Sequence, residues 1–318
     1  MRLLLPLLPL FLCWLTSCSQ QISGGPAPTA RASYLTTSDG KQLSLRHWNL
    51  QSRPQTVLIG LHGIEGAARD YGNLGKALPQ QSPRTTLYAL NLRGAGYDED
   101  LPRQGDIGKA RLWIRDLVEL DAGLRARHPE ARIVWVGESM GALIALKAAA
   151  QSEAQPDGLV LVSPVVSLDS IPGWQLGLLR LAARLAPWTR VSLETLAGGS
   201  FQATTSSDHF SQSETNPYHV ESYTLRFLNE LAQLSEESSR HADKVTAPTL
   251  ILHGGKDFLS NPRQISNFAN DFSPPATLLN FPQSHHLLFY DKERDAVVSE
   301  LLDWVNEKPQ GTNQHLLD

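Results

Sequence analysis

The sequence predicts an α/β fold: a mostly parallel central sheet with helices on both faces and a helical insertion late in the chain. Three observations predict it. Apolar runs at Thr56–Leu61, Thr85–Leu92, Gly158–Val162, Pro248–Leu252 and Thr277–Phe281 alternate with stretches of helical periodicity. Most of these runs are continuously apolar, as strands covered on both faces are. Finally, Ile133-Val134-Trp135-Val136 runs into Gly137-Glu138-Ser139-Met140-Gly141 and then into an alanine-rich helical stretch. That is a strand, a sharp turn and a helix.

The remaining elements follow in order. Met1-Arg2 supplies a positive charge, and Leu3 to Leu15 is apolar apart from Pro6 and Pro9. This run is short for a membrane span and reads as a leader over residues 1–17. It ends in Leu15-Thr16-Ser17-Cys18, which resembles the bacterial lipobox, where cleavage falls just before a cysteine that then carries lipid. The resemblance implies lipid attachment at Cys18 and a place in the bacterial cell envelope. Ser19 points to the outer membrane if the host is Gram-negative. Residues 18–31, rich in Gly, Pro, Ser and Ala, read as a flexible tether.

A single folded domain is expected over 32–306. Ala32–Thr37 and Gln42–Leu50 read as strands joined by Ser38-Asp39-Gly40-Lys41, where glycine accepts positive φ. Helices are expected around Tyr71–Leu78, over Lys109–Arg127 (stopped by His128-Pro129), over Pro262–Asn270 and over Asp291–Asn306. Residues 165–245 show no buried strand and read as a helical cap. Its amphipathic piece, with Leu176, Leu178, Leu179, Leu181 and Leu185, is a plausible wall for an acyl chain. Residues 307–318 read as a tail.

Composition narrows the function. The chain has 318 residues, 41% hydrophobic and 19% charged, with net charge −4, which gives no reason to expect a nucleic-acid partner. Its only cysteines, Cys13 and Cys18, precede the folded part, so no disulfide or cysteine metal site is expected there.

The chemistry is expected at the turn. A serine at its apex is held in a strained conformation with its hydroxyl exposed, and the following helix aims free N–H groups at developing negative charge. A serine hydroxyl needs a base, itself oriented by a carboxylate. Loops at the carboxyl ends of later strands supply Asp257 and a histidine at 285 or 286. His62 is placed to shape the glycine-rich loop His62–Gly66 rather than to act as base. The histidines at 47, 128, 209, 219, 241 and 253 read as surface or structural residues, and Asp208-His209 lies outside the core order.

Together these residues resemble the α/β-hydrolases, in the monoacylglycerol lipase and lysophospholipase branch. The carriers are Leu61-His62-Gly63-Ile64-Glu65-Gly66, Asn91-Leu92-Arg93-Gly94-Ala95-Gly96, Gly137–Gly141, Leu252–Asp257 and Phe281–His286. The resemblance implies Ser139 as nucleophile, Asp257 and a histidine as its partners, and the backbone N–H groups of Ile64 and Met140 as oxyanion donors. Family members place the histidine five residues after the aromatic that ends the last strand; counting from Phe281 reaches His286. Two departures touch the substrate: Ile64-Glu65-Gly66 is bulkier and more acidic than the family pattern, and Ala95 stands where a histidine is usual. The expected reaction is hydrolysis of a small lipid ester, with no cofactor and no metal. The rival readings are a serine aminopeptidase of the same fold and a silent scaffold that binds lipid or a partner.

Overall fold

The computed structural model describes residues 29–30, 33–98, 103–151, 155–169, 171–193, 203–206 and 219–307. Cys18, the leader, most of the tether, Asp208-His209 and all but the first residue of the C-terminal tail lie outside them.

Eleven strands are seen among the described residues. β1 (Thr29–Ala30), β2 (Tyr34–Thr36) and β3 (Gln42–Trp48) form an antiparallel edge. β3 then pairs antiparallel with β5 (Thr85–Leu90). From β5 onward the sheet is parallel, through β4 (Thr56–Leu61), β6 (Arg132–Glu138), β7 (Gly158–Val162), β10 (Thr249–Gly254) and β11 (Thr277–Phe281). The spatial order is β1-β2-β3-β5-β4-β6-β7-β10-β11.

Alternate residues of each central strand feed two cores, which is why the runs are continuously apolar. Val57, Ile59, Ile133, Trp135, Leu159 and Leu161 face α2 (Arg111–Arg127) and α3 (Met140–Gln151). Leu58, Val134, Val136, Val160 and Val162 face α1 (Gly72–Gln81) and the last helix (Arg294–Asn306). Because α3 lies between the sheet and the cap, it is apolar nearly all round. Of the boundaries that fall short of their expected positions, two have a visible cause. β5 stops at Leu90 because Asn91 turns its side chain to Ala68 N–H (2.8 Å) and Ser44 Oγ (2.8 Å). The last helix begins at Arg294 because Asp291 is used as an acceptor in the preceding loop.

Between β7 and β10 lie α4 (Gly173–Leu185), β8 (Arg190–Val191), β9 (Tyr223–Thr224), α5 (Leu225–Glu236) and α6 (Ser238–Ala242). This cap is moored to the core by polar contacts. Thr224 and Arg226 both reach Asp106 (2.7 and 2.6 Å), and Glu230 accepts from Ala110 N–H and Lys109 Nζ, each at 2.8 Å. Helix α4 differs from expectation. Ala183 is buried and Leu179 packs on the core, but Trp174, Leu178, Leu181 and Leu185 point to solvent, 53–75% exposed. With Trp188 (65%) they form one apolar stripe on the outer face.

Candidate active site

Ser139 stands alone between the end of β6 and the start of α3, at φ 53°. That left-handed conformation is costly for a residue with a Cβ and is held only because the surroundings over-determine it. The flanking glycines show how. A Cβ on Gly141 would lie 2.0 Å from the Leu61 carbonyl oxygen, and one on Gly137 would lie 2.4 Å from the Gly141 carbonyl oxygen. Strand and helix can cross this closely only with glycine at both positions.

Three loops then deliver three side chains to one point. The loop after β10 presents Asp257, whose Oδ1 accepts from Leu259 N–H at 2.9 Å. Its Oδ2 accepts from His286 Nδ1 at 2.8 Å, and His286 Nε2 lies 2.8 Å from Ser139 Oγ. Since the carboxylate can only accept, Nδ1 carries the proton and Nε2 is left to accept from the serine hydroxyl. All three residues are buried. Such a relay can take the serine proton as the oxygen attacks.

His285 points elsewhere. Its backbone N–H and its Nδ1 both donate to Asp291 Oδ2, at 2.7 and 2.9 Å. The other oxygen of Asp291 accepts from Thr205 N–H (3.2 Å), the Thr205 hydroxyl and Lys292 N–H (2.9 Å). Burial opposes its charge, but the hydrogen bonds from Thr205, His285 and Lys292 outweigh burial and hold the carboxyl at about 2. Asp291 thus ties the cap residue Thr205 to the loop that carries His286.

The backbone N–H groups of Ile64 and Met140 donate to no carbonyl among the described residues. Met140 N–H is at the N-terminus of α3, where negative charge is favoured. His62 holds the other loop: Nε2 accepts from Leu92 N–H (3.0 Å), which leaves Nδ1–H to donate to Gly63 O (2.7 Å). Burial lowers its pKa, and with both nitrogens engaged it is a neutral strut. A shallow cleft opens beside these groups, walled by Ile64, Glu65, Met140, Val220, Tyr223 and Phe227.

Glu138, the residue before the serine, is a buried acid that sequence reasoning passed over. Its Oε1 has no hydrogen-bond partner among the described residues, and burial, then the Asp70 carboxylate, push it up to about 8. An unfolded glutamate titrates near 4.5. Between those values only the folded state holds the proton, so the contribution of the neutral acid to stability is lost as pH rises through the window. Glu138→Gln removes that titration. Relative to wild type, it should gain about 1 kcal/mol or more of stability on going from pH 5 to pH 8. Urea unfolding at several pH values measures this; a constant difference between the two proteins would show that Glu138 is already ionised.

Several of these contacts leave no spacing pattern in the sequence. Asp291 to Thr205 and Glu65 N–H to the Tyr223 hydroxyl (3.0 Å) join residues far apart in the chain. No group of three or more metal-ligating side chains occurs among the described residues, and no helix among them is long and apolar enough to cross a membrane.

Known proteins share this architecture. Monoglyceride lipase of Rattus norvegicus is 22% identical over 289 residues, covering 86% of this chain and 90% of that one. Monoacylglycerol lipase of Mycolicibacterium smegmatis is 23% identical over 268 residues, covering 81% and 90%. Among solved structures, a soluble variant of the Saccharomyces cerevisiae monoglyceride lipase superposes with TM-score 0.73 at 18% identity, over 88% of this chain and 96% of that one. That likeness shows the fold, that of the α/β-hydrolases. Residues 52–293 match the family described as serine aminopeptidase, S33, and the chain belongs to that hydrolase family.

Proposed function

We propose that the protein is a serine hydrolase of carboxylic esters, acting on monoacyl lipids through an acyl-enzyme. The observation that carries the reading is the unbroken hydrogen-bond relay from Asp257 through His286 to Ser139. Ser139 Oγ attacks the ester carbonyl carbon while its proton passes to His286 Nε2. The tetrahedral oxyanion takes the N–H groups of Ile64 and Met140, each such donor lowering the barrier by about 3 kcal/mol. The carbon–oxygen bond to the alcohol breaks, and His286 returns the proton to that alcohol. Water then attacks the acyl-enzyme with His286 again as base, releasing the carboxylic acid. Asp257 fixes the imidazole tautomer and stabilises its charged form.

Monoacyl lipids are favoured because the relatives named above are monoglyceride and monoacylglycerol lipases that match most of this chain. The apolar stripe on α4 fits the same reading, since a lipid surface would cover it. A panel of p-nitrophenyl esters, monoacylglycerols, lysophospholipids and aminoacyl anilides tests the proposal. Esters are expected to turn over and anilides not. The reverse pattern would make the protein an aminopeptidase, the reading that the family's description favours. Inert behaviour with no labelling by a fluorophosphonate would leave a silent scaffold. We propose further that Cys18 carries the lipid that holds the enzyme at the bacterial envelope. This rests on the residues around Cys18 alone, and an unmodified Cys18 in the mass of the N-terminal peptide would overturn it.

A further inference from the structure

We propose that the cleft selects its ester by charge, with Glu65 favouring a substrate that bears a cationic group over a neutral one, and a neutral one over an anionic one. The inference rests on the ester-hydrolase reading and refines it.

Glu65 is next to Ile64 and walls the same cleft as Ile64 and Met140. It sits at φ 61°, a conformation that would suit glycine or asparagine better. The strained position is held from the cap: Glu65 N–H donates to the Tyr223 hydroxyl at 3.0 Å. An acid kept at a strained position beside the reacting groups points to a role for its charge rather than for its backbone.

Of the charges around it, that of His219 acts against it. Solvent reaches the residue; the protein around it raises its carboxyl, and the charge of His219 lowers it. The hydroxyl of Tyr223 is itself pushed up, first by burial and then by Glu65. The other charged residue of the cleft wall, Arg93, is committed elsewhere. It donates to Asp116 at 2.7 and 2.9 Å and to Asp39 at 3.0 Å. The cap arginines next to Val220 and Tyr223 are committed too: Arg190 donates to Ser222 O at 3.0 Å and to Gln104 O at 2.7 Å, and Arg226 donates to Asp106 at 2.6 Å. A phosphate or carboxylate on the substrate would therefore meet Glu65 with these cations already paired. At the effective dielectric of a half-exposed rim, one such charge is worth a several-fold preference.

Three esters sharing one decanoyl chain test this: those of choline, of glycerol and of glycerol phosphate. The wild-type kcat/KM should fall in that order above pH 7. Glu65→Gln should shrink the ratio of the choline to the glycerol phosphate ester by about tenfold. Glu65→Gly, which also relieves the backbone, should do the same. Added salt should compress the wild-type ratio and leave that of the variants almost unmoved, a response that a merely structural role would not give. If both variants hydrolyse the glycerol ester but keep the wild-type ratio, Glu65 is a loop residue and the inference falls while the ester reading stands. If wild type cleaves none of the three, both fall together.

Discussion

Ser139→Ala should reduce kcat on a soluble ester by at least about a thousandfold, with the protein as stable as wild type within about 1 kcal/mol. The reason is local. The hydroxyl makes one side-chain hydrogen bond, to His286, and replacing it with hydrogen leaves that imidazole still tied to Asp257. Alanine suffers the same left-handed strain that serine does, so the turn costs no more than before. On the proposed mechanism, what is lost is the atom that attacks. Some rate over water should persist, because the proposed donors at Ile64 and Met140 would still meet a developing oxyanion and water can replace the serine. Labelling by a fluorophosphonate should vanish together with turnover. A purified variant retaining more than about a thousandth of wild-type kcat would remove Ser139 from its role.

That the turn could be read from sequence, and other features could not, has a physical reason. The Gly137–Gly141 unit is set by contacts within a few residues and by the adjacent strand: Gly141 meets the Leu61 carbonyl, and Gly137 meets Gly141. Such constraints write themselves as glycines at fixed spacing. The central strands are legible for a similar reason, since burial on both faces demands an unbroken apolar run, as in Thr56–Leu61. The outer stripe of α4 was not legible as exposed. Its leucines recur with the period of a helix, and periodicity states that a face exists without saying what covers it. The start of the last helix was misplaced for another reason. Asp291 would serve as an N-terminal helix residue on local grounds, but His285 and Thr205 recruit it as an acceptor. Glu138 occupies a position that the Gly-x-Ser-x-Gly pattern leaves open, and its carboxyl is raised first by burial under the fold and then by Asp70, far away in sequence. In each case the missing information was a tertiary partner.

The adjacent histidines show what such a partner decides. The resemblance pointed to His286 by counting from Phe281, and it is the His286 ring that lies 2.8 Å from Ser139 Oγ. Asp291 captures His285 by both its backbone N–H and its ring, turning that side chain away from Ser139, while the next residue faces the opposite way and enters the relay. His286→Ala should therefore lower kcat by roughly three orders of magnitude, the value of a well-placed general base, with the fold intact. His285→Ala should cost about tenfold at most. It removes one ring contact, while its backbone N–H and Thr205 still hold Asp291 and keep the loop in place. Steady-state kinetics on a soluble ester, with circular dichroism to check folding, would separate the two. Should His285→Ala prove the more damaging, the loop in solution must present the other imidazole to Ser139, and the Asp291 clamp would have to open for it to do so.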